Sequence, residues 1–216
     1  MADTQIPPSA WARLAAISGI IGVACYFCAV FLPFPDMLSR LLVFAFGPLI
    51  VVSFLGLYRF LADHKDRIPL HIAFVFGAIA GTLLTTMLII QIGNNMVRAE
   101  LLAAAGSEAA KESIELSWDA VNRVQYLLDV VWDIFITISL MLFAYALIHH
   151  PRFGKIWGIS GILISCALLV LNFLSFPEPP AESGSVDLGP LTALWMFAVY
   201  IRLAFIKQNP QVLLRE

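Results

Sequence analysis

The sequence predicts an all-α, polytopic membrane bundle of six transmembrane helices. Two observations carry that class. Of 216 residues, 60% are apolar and only 13% charged, with a mean hydropathy of +0.87; soluble domains sit near half apolar and about a quarter charged. The apolar residues are also gathered into runs of bilayer length, since a hydrocarbon core takes roughly 20 residues of helix. The runs are 12–33, 40–62, 69–97, 120–149, 155–176 and 188–207, and together they make one domain, 1–216.

The first run follows a short polar start with Pro7, Pro8 and Ser9 and stays apolar from Leu14 to Phe34, ending among Pro33 and Pro35. It is too long for a cleaved signal peptide and reads as a retained span. The second contains Gly47-Pro48, which predicts a kink because proline removes a backbone donor and clashes with the preceding turn. The third carries Ala73, Gly77 and Gly81 at four-residue spacing, a stripe that lets helices approach closely in lipid. The acidic, helix-prone stretch from Arg98 to Asp119 predicts a short surface helix outside the membrane, with Gly106-Ser107 as break and cap. The fourth run starts polar and ends as plain apolar span from Ile134 to Ile148. Between the fifth and sixth lies an irregular loop, Pro177 to Ser185, after which Pro190 suits a first helical turn. The uncharged part of the last run reaches only from Leu188 to Ile201, and Arg202 must snorkel to the headgroups.

Six spans put both termini on one side. That side then holds nine of the thirteen basic residues, including Arg13, Arg59, Lys65, Arg152, Lys207 and Arg215; the other holds Arg40, Arg98, Lys111, Arg123 and most of the acids. The positive-inside rule therefore predicts a multi-pass protein of the inner (plasma) membrane with cytoplasmic termini. The lipid bilayer is its first partner. No basic patch is large enough for nucleic acid, and the net charge is −2. A homo-oligomer is compatible with the chain. Cys25, Cys28 and Cys166 lie within apolar runs and give no disulfide framework; the C-x-x-C spacing of the first two falls inside a span and reads as packing.

Sliding the sequence on itself by 142 places sets Ile17-Ser-Gly-Ile20 over Ile159-Ser-Gly-Ile162 and Phe34-Pro-Asp36 over Phe176-Pro-Glu178. Without a gap, Gly47-Pro-Leu49 then meets Gly189-Pro-Leu191 and Tyr58 meets Tyr200. The Phe-Pro-acid and Gly-Pro matches are geometry signals held in one register, so helices 1–2 and 5–6 read as a parallel repeat of a hairpin.

The chemistry concentrates outside that repeat. Asn122, Tyr126, Asp129 and Asp133 are spaced four, three and four apart, which lines them on one stripe of the fourth helix. Gln91, Asn94, Asn95 and Arg98 form a second polar patch near the end of the third. Setting Arg98 level with Asp119 brings Asn95 opposite Asn122 and Gln91 opposite Tyr126, a continuous seam. Two carboxylates one turn apart in low dielectric cannot both be ionised cheaply, so a proton or a cation must be shared. Arg123 and Arg98 are the available cations, with Asn172 of the fifth helix a further partner. Two readings fit. The acids line a partly hydrated cavity that exchanges a proton or binds a cation, or they form a paired cluster that locks helices together.

His64, His71, His149 and His150 fall at the cytoplasmic boundary, but nothing around them supports a metal or haem, and no cofactor is assigned. The chain has no P-loop, dinucleotide fingerprint, HExxH or nucleophile elbow. On LAAISGIIGVACYF of the first helix and PLTALWMFAVYIRL of the last, it resembles bacterial six-helix integral membrane proteins of unknown function. That resemblance implies a membrane location and transfers no site. The leading expectation is binding or translocation of a small solute, cation or proton at a polar seam between helices three, four and five. The alternatives are a non-catalytic assembly subunit and, third, an intramembrane enzyme using Asp129 or Asp133 as acid or base.

Overall fold

The computed structural model of the protein describes residues 6–32, 34–62 and 67–206. Lys65, Lys207 and Arg215 of the charge argument, and His64 of the boundary histidines, lie outside them. Six helices follow one another: α1 (Pro8–Phe31), α2 (Asp36–Ala62), α3 (Arg67–Ala104), α4 (Glu108–Ile148), α5 (Lys155–Ser175) and α6 (Gly189–Ala204). No strand occurs among the described residues. Five of the helices are long and apolar enough to cross a membrane, while α6, at 16 residues, is shorter.

Local chemistry sets the helix ends. Pro8 opens α1 at a position where its missing N–H is not needed. Gly154, at φ 80°, precedes α5 in a backbone region that residues with a Cβ avoid. α2 runs unbroken through Pro48. The acidic stretch is not a separate surface helix, contrary to expectation. α3 continues to Ala104 and α4 already begins at Glu108, because Ala-, Leu- and Glu-rich sequence propagates helix on both sides of a tight turn. Ser107 caps α4 by accepting from the Ala110 N–H at 3.3 Å. At 38 and 41 residues, α3 and α4 are roughly 57 and 62 Å long, about twice a hydrocarbon core.

Each helix packs on the next in sequence from α1 to α5, and α6 returns to α1; α5 and α6 touch only sparsely. Small residues make the tight joints. Ser139 of α4 donates to the Ala73 carbonyl at 2.7 Å. A Cβ on Gly77 would strike Phe54, and one on Gly81 would meet Val51 and the Gly47 carbonyl. The stripe Ala73, Gly77, Gly81 is thus a packing face. The buried residues of α5, Gly158, Gly161, Ser165, Leu168 and Asn172, recur at three and four as one face of a helix must. The outward surface is apolar instead: Ile156 and Leu174 are 83% and 77% exposed, a pattern suited to lipid rather than water as solvent.

The interior differs between its two ends. Toward the end where α1 starts and α6 finishes it is filled, with Phe54 stacked on Phe143 at 5.5 Å and Tyr200 bonded to Ser53 at 2.7 Å. Arg202 reaches the Arg152 carbonyl at 2.8 Å at this end and lies over Trp157. Arg59 likewise lies over Trp11. Nearer the other end the interior holds a cavity.

Candidate functional site

The cavity has a volume of about 320 Å³ and takes wall residues from all six helices and the α5–α6 loop. Helix spacing explains its floor. Ile50, Ile136 and Met196 line it, and one turn further along each helix stand Phe54, Leu140 and Tyr200, all fully buried. Its mouth is roofed by the loop, where buried Pro179 and Pro180 turn inward. Tyr126 ties that loop to α4 by donating to Glu182 at 3.3 Å.

Asp129 and Asp133 both line this space. Asp133 is only 4% exposed. Its Oδ2 accepts from the Asn172 amide at 2.7 Å, and the same amide donates to the Leu168 carbonyl at 3.0 Å. Asp133 Oδ1 and Asn172 Oδ1 have no hydrogen-bond partner among the described residues. A buried acceptor without a donor is costly, and a buried carboxylate without a counter-charge far more so. Asp129 is half-buried beside it. Asp187, at the mouth, accepts from the Gly189 N–H at 2.7 Å. Among the described residues no lysine, arginine or histidine lines the cavity.

The expected seam is divided. Arg98 pairs with Glu115, both contacts at 2.7 Å, and lies 4.6 Å over the Trp118 ring. That bond holds the Glu115 carboxyl below its ordinary range, out beyond the apolar part of α4. Asn95 accepts from the Trp118 indole at 2.9 Å, and Asn94 donates to the Trp118 carbonyl at 3.1 Å and to Asn122 at 3.4 Å. The register is close to the assumed one, since Asn94, next to Asn95, meets Asn122 and Asp119 acts electrostatically on Arg98. Arg98 nevertheless bonds Glu115, because its long side chain reaches a turn along α4 to a partner. Gln91 is exposed. Arg123 is exposed with no ion pair among the described residues, so neither arginine neutralises the acids. This outer cluster is a hairpin clasp. Arg98→Ala should lower the melting temperature slightly, by less in high salt than in low, as thermal unfolding at two ionic strengths would reveal.

The acids instead face α1, α2 and α6. Tyr26 and Phe46 stack at 4.9 Å between ring centroids, and Trp132 lines the same wall. These residues were not anticipated; aromatic residues in an apolar helix carry no mark of facing a cavity rather than lipid. His71 bonds the Tyr58 hydroxyl at 2.6 Å, and buried His150 packs on Phe60. Among the described residues no group of three or more His, Cys, Asp or Glu is placed to hold a metal. No protein-family model, curated protein or solved structure matches the chain.

Proposed function

We propose that this is a six-span protein of the inner membrane that binds, and moves across the bilayer, a small solute, cation or proton through the cavity of Asp129 and Asp133. The observation that carries the reading is Asp133, buried in a cavity wall with an unpartnered oxygen and, among the described residues, no basic residue lining that cavity. An ionisable group held in this way inside a membrane is expensive to the fold, and such groups mark solute paths and proton relays. α6 is about 24 Å long against a core near 30 Å, a mismatch that local thinning and snorkelling absorb. The cationic and aromatic residues gathered at the end with Arg59 and Arg202 suit the cytoplasmic interface. In this reading the 1–2 and 5–6 hairpins are a diverged parallel repeat, with α1 packed on α2 but α5 on α4.

The bond between Asp133 and Asn172 favours a second reading, in which the pair simply clamps α4 to α5 within an assembly subunit. A hydrophobic carbodiimide separates the two, since it couples to protonated carboxyls that can be reached from an apolar phase. Peptide mass spectrometry of the treated protein should find the adduct on Asp133 or Asp129, less of it as the pH rises. Labelling of neither acid across the pH range would overturn the transport reading.

A further inference from the structure

Resting on that reading of Asp129 and Asp133, we infer the class of solute: an organic monocation, a quaternary or protonated amine carrying an apolar, ring-sized body. Its charge is set against Asp133 and Asp129, and its body against Tyr26, Phe46 and Trp132.

The walls decide the class. The only charged groups lining the cavity, among the described residues, are Asp129, Asp133 and Asp187. An anionic ligand is therefore repelled, and a neutral one leaves the carboxylate uncompensated. Asp133 brings more than charge. It is nine-tenths buried in the cavity wall and keeps an oxygen without a donor. A small metal ion is a poor match, because hard cations require about six or more converging oxygens. Here α2 and α3 supply only apolar side chains, Phe46 and Ile50 from one and Leu84, Met87 and Leu88 from the other. Such walls are favourable for a body that leaves water on binding. The rings of Tyr26, Phe46 and Trp132 add cation–π attraction for a weakly hydrated charge. The volume lies at the low end of small-molecule sites, which suits one compact cation.

Protons and the ligand compete for the same carboxylates. The groups facing them are Tyr26 from α1, neutral Asn172 from α5, and Asp187 with Glu182 from the α5–α6 loop, both near enough to Asp129 to act on it electrostatically. None brings positive charge. Binding an organic cation therefore releases a proton from the cluster wherever it carries one, and acid pH opposes binding.

The full chain, purified in detergent, is titrated calorimetrically with benzyltrimethylammonium at acid and alkaline pH. Tetramethylammonium, Na⁺ and benzyl alcohol are the comparison probes. Benzyltrimethylammonium should saturate one site at least about tenfold more tightly than tetramethylammonium, the contribution of burying its ring. Its affinity should rise by up to about tenfold per pH unit where the acids titrate, as one proton leaves per cation bound. Asp133→Asn should weaken binding at least about tenfold. Asp129→Asn, which leaves the Asn172 bond in place, gives the same readout should the first variant fail to fold. Trp132→Leu should weaken binding while keeping its pH dependence. Equal binding by the acid variants, equal binding of benzyl alcohol, or competition by Na⁺ as effective as that of tetramethylammonium each overturns the proposal. Carbodiimide coupling to Asp133 without protection by benzyltrimethylammonium removes the solute class and leaves the protonatable site standing; absence of coupling removes both.

Discussion

Replacing Asp133 by asparagine will leave the purified protein at least as heat-stable as the wild type, while Asn172→Leu will destabilise it by about 1–3 kcal/mol. The two side chains share one hydrogen bond of 2.7 Å, which Asp133→Asn can keep and Asn172→Leu removes. Asparagine at 133 keeps the volume and can still accept from Asn172, yet it removes a charge the cavity does nothing to offset. Substitutions that relieve a site of this kind commonly gain about 0.5–2 kcal/mol. Leucine at 172 does the reverse, stripping the buried acid of its donor. Unfolding in detergent, followed by intrinsic fluorescence against temperature, measures both. A large stability loss in Asp133→Asn, matched by one in Asp129→Asn, would mean that the acids hold the helices together, and would sink the transport-site reading.

Gly56→Val will be among the most damaging single changes in the bundle, costing about 3 kcal/mol. A Cβ at Gly56 would stand 2.6 Å from the Ala15 nitrogen, 2.8 Å from the Trp11 carbonyl oxygen and 3.0 Å from the Ala15 Cα. All three are backbone atoms. No rotamer change can move them, and α1 must part from α2 to make room. Gly93 supplies the contrast within the same fold, since a Cβ there meets nothing within 4 Å. Gly93→Ala should be neutral or stabilise by about 0.5–1 kcal/mol, the helix-propensity term alone. Melting temperatures of the two variants, measured side by side, check the pair. Equal losses would show that generic helix chemistry, not backbone approach, governs these glycines.

Much of the architecture was legible because the bilayer admits so few solutions. An uncharged run longer than about 18 residues has little choice but helix, and all six runs are helical. What sequence did not reveal was where α3 and α4 stop. Between Leu101 and Glu115 the sequence has a single breaker, Gly106, and polarity there marks the edge of the apolar run without ending a helix. The stripe from Asn122 to Asp133 was readable by its spacing, and Asn172 of α5 bonds its inner end at Asp133. The outer partners were not, because a flexible arginine such as Arg98 selects among acids by reach. The far wall, Tyr26 and Phe46, was the least visible. Inside a membrane the usual contrast between buried apolar and exposed polar residues disappears, and with it the signal that separates a cavity lining from a lipid-facing surface.

The sparse contact between α5 and α6 leaves the bundle resembling a barrel with five tight staves and one loose one. One large side chain bridges that seam: Trp195 packs on Gly161, and its indole donates to the Trp157 carbonyl and the Ser160 hydroxyl at 3.2 Å each. Were the solute the organic cation proposed above and this seam its way in, the bilayer itself would be the reservoir. Such molecules accumulate among lipid headgroups well before they meet a protein, and partitioning would then act as the first sieve, ahead of any carboxylate.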